Sequence, residues 1–138
     1  MRFSILISLM FWLLPLHAQN ITGLWHTVDD ETGEVKSIVE IYQQDDKYFG
    51  QVRHLLLKPA DTLCTKCKGE DKDQPIVGMV ILKDLEKKDE LYTGGSILDP
   101  AKGKVYRSRA WLEEGNLQVR GYLGLFYRTQ TWYRAEDE

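Results

Sequence analysis

The sequence has little of what most metal, nucleic-acid and cofactor sites are built from. Its 138 residues include only two cysteines and three histidines, and 18 Lys and Arg are outnumbered by 21 Asp and Glu. A zinc site needs four ligands at recognised spacings, which these few residues do not provide. A nucleic-acid partner calls for a basic face, which an acidic balance does not predict. We therefore expect no metal, no cofactor and no nucleic acid.

Catalytic motifs are also missing from the chain. There is no Gly-x-Ser-x-Gly, no His-Glu-x-x-His and no phosphate-binding glycine loop, and Gly94-Gly95-Ser96 is not followed by a helical pattern. His26 and His54 stand alone within predicted strands, where a histidine is more often structural than a general base. The sequence thus identifies no catalytic residue, and an enzyme is the less favoured interpretation.

Only the N-terminus carries a long apolar run. Arg2 precedes residues 3–14, which are apolar except for two serines, and the small residue Ala18 stands before Gln19. This order is typical of a secretory signal peptide. So short a run does not cross a hydrocarbon core of ~30 Å, so we expect no transmembrane segment. Residues 1–18 are predicted to be a signal peptide that is cleaved near Ala18, leaving a periplasmic or secreted protein.

The remainder, residues 19–138, is predicted to be a single β-rich domain with a net charge of about −4 once Arg2 is removed. Apolar and β-branched runs predict about eight strands, at residues 23–28, 37–44, 48–57, 76–85, 91–98, 104–112, 116–123 and 126–134. Such spacing, without a helical period, is typical of an antiparallel barrel or sandwich. Gly94-Gly95 predicts a bulge, and residues 58–75 predict a long polar loop.

The first and last strands carry a further clue in Gly23-x-Trp25 and Arg134. In a closed up-and-down barrel these strands are neighbours, so the Arg134 guanidinium is expected to cover the Trp25 indole. Trp132 is a second aromatic to which we assign a structural role. This combination resembles the calycins, the group of lipocalins and fatty-acid-binding proteins. We therefore favour an all-β, calycin-like antiparallel barrel, with a β-sandwich as the alternative.

The two cysteines, Cys64 and Cys67, lie in the long polar loop. In an exported protein this spacing favours a disulfide, which would stiffen the loop. Lys66 and Lys68 flank Cys67 and would lower the pKa of a thiolate, which favours a redox-active pair. Thioredoxin-type enzymes, however, place the motif at a helix start, and no helix is readable here. A structural disulfide is preferred, and thiol-redox activity stays open as an alternative.

Ordered motifs extend over more than 100 residues of the chain. They are Gly23-Leu-Trp25, Cys64-x-x-Cys67-Lys-Gly69, Pro75-Ile-Val-Gly78-Met79, Ile97-Leu-Asp-Pro100-x-x-Gly103-Lys-x-Tyr106, Leu117-x-Val-Arg-Gly-Tyr122 and Thr129-Gln-Thr-Trp-x-Arg134. In these motifs the chain resembles a widespread family of small exported bacterial proteins known only as a domain of unknown function. The resemblance implies a bacterial origin and an exported β-rich domain, and it brings no established activity.

Polar residues inside predicted strands are the candidate ligand-binding groups. They are Glu40, Tyr42, Tyr106, Arg120 and Gln130. On the inner face of a barrel they would suit a small ligand with one anionic group, with Glu40 or water satisfying Arg120 in the empty protein. The plain alternative is that these residues belong to solvated outer faces.

Three functions follow from these patterns. The leading hypothesis is non-catalytic binding of a small amphipathic or anionic ligand in the bacterial envelope. The second is an envelope accessory or protein-interaction module with a filled barrel, whose protein partner the sequence does not name. The third is thiol-redox chemistry at Cys64 and Cys67. An enclosed cavity above ~300 Å³ would favour the first, and a filled barrel with an exposed apolar patch the second.

Overall fold

Eight antiparallel strands follow one another in chain order around a closed barrel in the computed structural model, which describes residues 20–136. The strands are β1 (Gly23–Val28), β2 (Val35–Gln44), β3 (Lys47–Leu55), β4 (Val80–Lys88), β5 (Leu91–Asp99), β6 (Lys104–Glu113), β7 (Asn116–Leu123) and β8 (Phe126–Arg134). β8 returns to β1, where Arg134 pairs with Trp25 and Tyr133 with His26. The predicted calycin-like barrel is confirmed, and the sandwich alternative is wrong. The predicted signal peptide lies outside the described residues.

Most strand predictions are confirmed to within about two residues, but the fourth strand, predicted at residues 76–85, is displaced. β4 begins at Val80 and continues to Lys88. Ile76 and Met79 are buried as a strand residue would be, yet they belong to the preceding loop, where Ile76 donates its backbone N–H to the Thr62 carbonyl at 3.0 Å. The charged end of β4 is exposed, so apolar periodicity does not reveal it. The predicted bulge at Gly94-Gly95 is present as a register shift between Tyr92 and Gly95.

One end of the barrel, which we call the closed end, holds the β2–β3, β4–β5 and β6–β7 turns and the N-terminal segment. Ile21 is fully buried there, and its carbonyl accepts the Trp25 indole N–H at 2.8 Å. The Arg134 guanidinium lies 4.0 Å from the Trp25 ring centroid and donates to the carbonyls of Thr22 and Asn20 at 2.8 and 3.0 Å. The predicted Trp25–Arg134 stack is therefore confirmed.

The opposite end, which we call the mouth, holds the other four connections, because successive turns of an up-and-down barrel alternate between its ends. The β1–β2, β5–β6 and β7–β8 connections are short, whereas the β3–β4 connection, residues 56–79, is long. It contains the isolated bridge between Leu63 and Pro75 and a 3₁₀ turn at Gly69–Asp71. No helix within residues 20–136 is long and apolar enough to cross a membrane.

The long loop is cross-linked by a disulfide and packs against the β5–β6 turn. Cys64 and Cys67 are disulfide-bonded, as predicted, and both are buried. The Cys64 sulfur lies 3.6 Å from the Pro100 carbonyl oxygen. Gly103 has φ +66°, and a Cβ there would overlap the Lys66 backbone carbonyl. The cysteine motif and the Asp-Pro-x-x-Gly motif, which are separate in sequence, thus form one structural unit at the mouth.

Candidate functional site

Two adjoining cavities open at the mouth of the barrel. The first has a volume of about 280 Å³ and is lined among others by Tyr106, Val119 and Phe126. The second has a volume of about 200 Å³ and is lined among others by Val52, Leu55 and Ile81. Both are also lined by Ile97, Asp99 and Gln130, which form the wall between them. Neither cavity reaches ~300 Å³ and neither is fully enclosed, but the two are adjacent and their walls are largely apolar.

Small residues on the inner face of β7 and β6 leave room beneath Tyr106. Gly121 lines the first cavity, and a Cβ there would lie 3.4 Å from the Tyr106 Cβ. Ser108 is paired with Gly121 across the strands, and its hydroxyl is buried without a hydrogen-bond partner among residues 20–136. A buried hydroxyl usually has a hydrogen-bond partner, so Ser108 is an unsatisfied polar group in the barrel wall beside the first cavity.

Gln130 fixes the β1–β2 loop over the first cavity. Its amide nitrogen donates to Asp30 Oδ1 at 2.8 Å, and its amide oxygen accepts the Trp132 indole N–H at 3.0 Å. Arg128 Nη1 pairs with the other carboxylate oxygen of Asp30 at 3.4 Å. Both ends of the Gln130 amide are therefore engaged, which holds this side chain and the loop in a single arrangement. Trp132 is buried below it, which supports the structural role predicted for that residue.

Charged side chains of both signs surround the second cavity. The backbone N–H groups of Thr32 and Glu31 donate to the Asp29 carboxylate and lower the pKa of Asp29 below its ordinary value. Lys36 and Lys58 line the same cavity, and Lys102 lines the first one. Within residues 20–136 none of these three lysines forms an ion pair, so each can meet an anionic group.

The five predicted binding residues divide between the two faces of the sheet. Tyr106 and Gln130 line the first cavity, whereas Glu40, Tyr42 and Arg120 lie on the outer face. Glu40 pairs with Arg53 at 3.1 Å, so the expected Glu40–Arg120 pair is wrong. The reason is alternation: Val39 and Ile41 point into the core, which directs Glu40 and Tyr42 outward. Tyr42 stacks on Phe49, with ring centroids 5.7 Å apart.

Arg120 is held on the outer face by two aromatic rings. Its guanidinium carbon lies 4.8 Å from the centroid of Trp111 and 4.2 Å from that of Tyr127. Its Nε donates to the Thr129 hydroxyl at 2.9 Å. The cavity therefore lacks Arg120, the anchor that the sequence predicted. The cations that line the cavities are the three lysines and Arg128, which pairs with Asp30.

Strand periodicity did not identify Asp30, Ile97 or the three lysines as cavity residues. A signal for part of the site was available, since Arg128 shares its strand face with Gln130 and Trp132. Asp30 and the lysines, however, lie in or beside the connections at the mouth, where strand periodicity gives no direction. Among residues 20–136 no group of three or more His, Cys, Asp or Glu side chains is placed to hold a metal ion.

Comparisons with known proteins agree with the fold and name no activity. A family model described as an uncharacterized protein conserved in bacteria (DUF2147) matches residues 23–134. Protein HP1028 from the human pathogen Helicobacter pylori, which belongs to the lipocalin family, is similar in structure with a TM-score of 0.74. The two are 22% identical, and the match covers 86% of this chain and 84% of that one, which shows a shared fold alone. No curated protein matches the sequence.

Proposed function

The chain belongs to the bacterial DUF2147 family, and we propose that it is an exported, non-catalytic protein that binds a small amphipathic molecule at the mouth of its barrel. The observation that carries this proposal is the pair of cavities of about 280 and 200 Å³ that share one wall inside a closed eight-stranded barrel. A barrel of this size is wide enough to be filled by side chains or to hold one small ligand, as in lipocalins.

The lining of the two cavities supports a ligand with an apolar body and an anionic group. Ile97 and Val119 are apolar walls, and the three lysines, which form no ion pair within residues 20–136, also line the cavities. Arg128 is already neutralised by Asp30, so the lysines are the better partners for a carboxylate, sulfonate or phosphate. The modest volumes favour a small molecule whose apolar part is enclosed and whose charged group stays near solvent.

Export and ligand occupancy are testable on the same purified sample. Mass spectrometry under denaturing conditions should give the mass of a chain that begins near Gln19, as expected for cleavage of the signal peptide. Under native conditions the same sample should show an additional species that carries a small organic molecule. A full-length mass would contradict export.

Binding is tested with 8-anilinonaphthalene-1-sulfonate, a small aromatic anion whose fluorescence rises in apolar sites. Ile97→Trp places a bulky side chain in the wall that both cavities share and should weaken binding at least tenfold, which is about 1.4 kcal/mol. The matched control is Leu91→Trp, on the same strand at the closed end, which should bind as the parent protein does. Equal affinity in all three proteins would place the dye elsewhere and contradict a cavity site.

A second function, an interaction module, is favoured by two observations outside the cavities. Arg120 lies on the outer face rather than in the barrel, and Leu125 at the β7–β8 turn is 98% exposed. Thiol-redox activity gains less support, because Cys64 and Cys67 are buried in their bridge against the β5–β6 turn.

A further inference from the structure

The outer face of β6, β7 and β8 concentrates positive charge on an acidic chain. Two cross-strand rows define it: Arg107, Tyr122 and Tyr127 in the row nearer the mouth, and Arg109, Arg120 and Thr129 in the next. We call these six residues the arginine face. Arg109 and Arg120 face each other across β6 and β7. Two like charges in such a cross-strand pair destabilise the sheet. None of the three arginines forms an ion pair within residues 20–136.

The strands of this face end at the mouth in an apolar tip, which comprises Leu123, Leu125 and Phe126. Leu125 is 98% exposed and Phe126 is 81% exposed, although Phe126 also borders the first cavity. Val105, at the start of β6, is 64% exposed beside the tip. A turn between two strands does not require large apolar side chains, and a group of them in water indicates a contact with another apolar phase.

The tip and the arginine face are arranged in layers. Tyr127 follows directly after Phe126. The Arg109–Arg120 row is three residues from Leu123 and Phe126, which at about 3.3 Å per residue places it about 10 Å from the tip. The order is an apolar tip, then a row with two tyrosines and Arg107, then Arg109 and Arg120. A lipid monolayer presents hydrocarbon, interface and phosphate in a similar order. The depth agrees with the ~5–10 Å to which interfacial protein segments enter a bilayer.

We propose that this end of the barrel docks on an anionic lipid bilayer. Leu125 and Phe126 enter the boundary between headgroups and acyl chains, Tyr122 and Tyr127 lie among the headgroups, and the arginines contact lipid phosphates. Stacking between Trp111 and Tyr127 holds the Arg120 guanidinium in place, so little side-chain freedom is lost on contact.

Two features favour a bilayer over an acidic protein or a nucleic acid. The tip is a protruding hairpin turn, which suits a fluid phase without requiring a matching pocket in a partner. A nucleic acid would gain from the arginines but would leave the apolar tip in water. The acidic β1–β2 loop, with Glu31 and Glu34, lies on the other side of β8 and would be repelled by anionic lipid. We therefore expect the barrel to tilt so that the β6 side of the tip approaches the bilayer and the β1–β2 loop stays away from it.

This docking goes beyond ligand binding in the cavities and does not depend on it. The test is co-sedimentation of the chain beginning at Gln19, which contains every strand of the barrel, with two kinds of vesicle. Equimolar phosphatidylcholine and phosphatidylglycerol vesicles should bind it at least tenfold more strongly than phosphatidylcholine alone, and added salt should reduce the binding.

Two variants, each with a matched control, separate the contribution of the apolar tip from that of the arginines. Leu125→Ser with Phe126→Ser should reduce binding to the mixed vesicles at least tenfold, whereas Leu56→Ser, an exposed apolar residue on the β3–β4 loop, should not. Arg107→Gln with Arg109→Gln should remove the preference for anionic vesicles. Lys87→Gln with Lys88→Gln, which removes the same charge at the closed end, should preserve it. Circular dichroism checks that every variant is folded.

Three results would overturn the proposal. The first is equal binding to both kinds of vesicle, and the second is unchanged binding of the tip variant. The third is binding to soluble heparin or duplex DNA that is as strong as binding to vesicles and independent of the tip, which would make the arginine face a polyanion site. The dye titration reports on the cavities and the vesicles on the outer surface, so each proposal can fail without the other.

Discussion

The closed end and the mouth of this barrel differ in how far apolar side chains are buried and charged side chains are paired. At the closed end Trp25 is fully buried, and Arg134 covers it while donating to two backbone carbonyls. At the mouth, Leu125 is almost fully exposed, and Lys36 and Lys58 stand beside a cavity without ion-pair partners in the described part of the chain. The closed-end groups named here are satisfied within the chain, whereas those named at the mouth are left for something outside it.

This difference assigns stability and recognition to separate parts of one sheet. Every strand runs from one end to the other, so the packed end fixes the geometry on which the mouth depends. Binding residues in most folds lie on connections held by a rigid scaffold, and this barrel follows that rule. Substitutions at the closed end should therefore change the free energy of unfolding most, and those at the tip should leave it nearly unchanged.

The largest effect is expected for Trp25→Ala. Removing a fully buried indole and leaving a cavity should lower the free energy of unfolding by about 3–5 kcal/mol. Arg134→Ala should cost less, about 1–2 kcal/mol, since it removes a cation–π contact and a packed stem. Urea denaturation followed by circular dichroism measures both. If Arg134→Ala cost more than Trp25→Ala, the closed end would depend on the cation rather than on the indole.

A smaller effect is expected for Gly103→Ala at the mouth. A Cβ at this position overlaps the Lys66 carbonyl, so either the cysteine loop or the β5–β6 turn must move. Together with the cost of a left-handed backbone, we expect a loss of about 2–3 kcal/mol. Gly33→Ala is the matched control, because Gly33 also has a positive φ but meets nothing within 4 Å. It should cost about 1 kcal/mol, the lower end of the cost of a left-handed backbone for a residue with a Cβ.

An equal cost for the two glycine variants would show that the loop yields freely to the turn. The mouth would then lack the rigid contact between the cysteine loop and the β5–β6 turn, and its cavities would depend on the barrel walls alone.

The sequence was sufficient to predict the barrel and its seam, because those depend on local patterns. Strand periodicity located most strands, and a tryptophan near the start with an arginine near the end predicted the β1–β8 contact. The same periodicity did not predict which face is inside. Glu40 and Arg120 lie on strands that the sequence predicted, yet alternation defines two faces without saying which one meets the core.

The site at the mouth was predictable only in part, because long-range contacts build it. Tyr106 and Gln130 lie on strands, where alternation offers them as inner residues. Asp30 is placed over the cavity by its bond to Gln130, which lies 100 positions away in sequence. The contact between Lys66 and Gly103 likewise joins two loops that no local pattern relates. Whether a loop residue faces the cavity is decided only by contacts that form once the barrel has closed.

A modest global effect is expected when the disulfide is removed. Cys64→Ser with Cys67→Ser opens a ring of four residues, for which the chain-entropy model gives about 2 kcal/mol. The loop keeps other ties, since the Cys64 N–H donates to the Gln74 carbonyl at 2.8 Å and Leu63 bridges to Pro75. The β-sheet spectrum should persist, while trypsin should cleave after Lys66 faster than in the parent protein. If the double variant lost its β-sheet spectrum, the staple would support the whole barrel, and the division of roles between its two ends would be wrong.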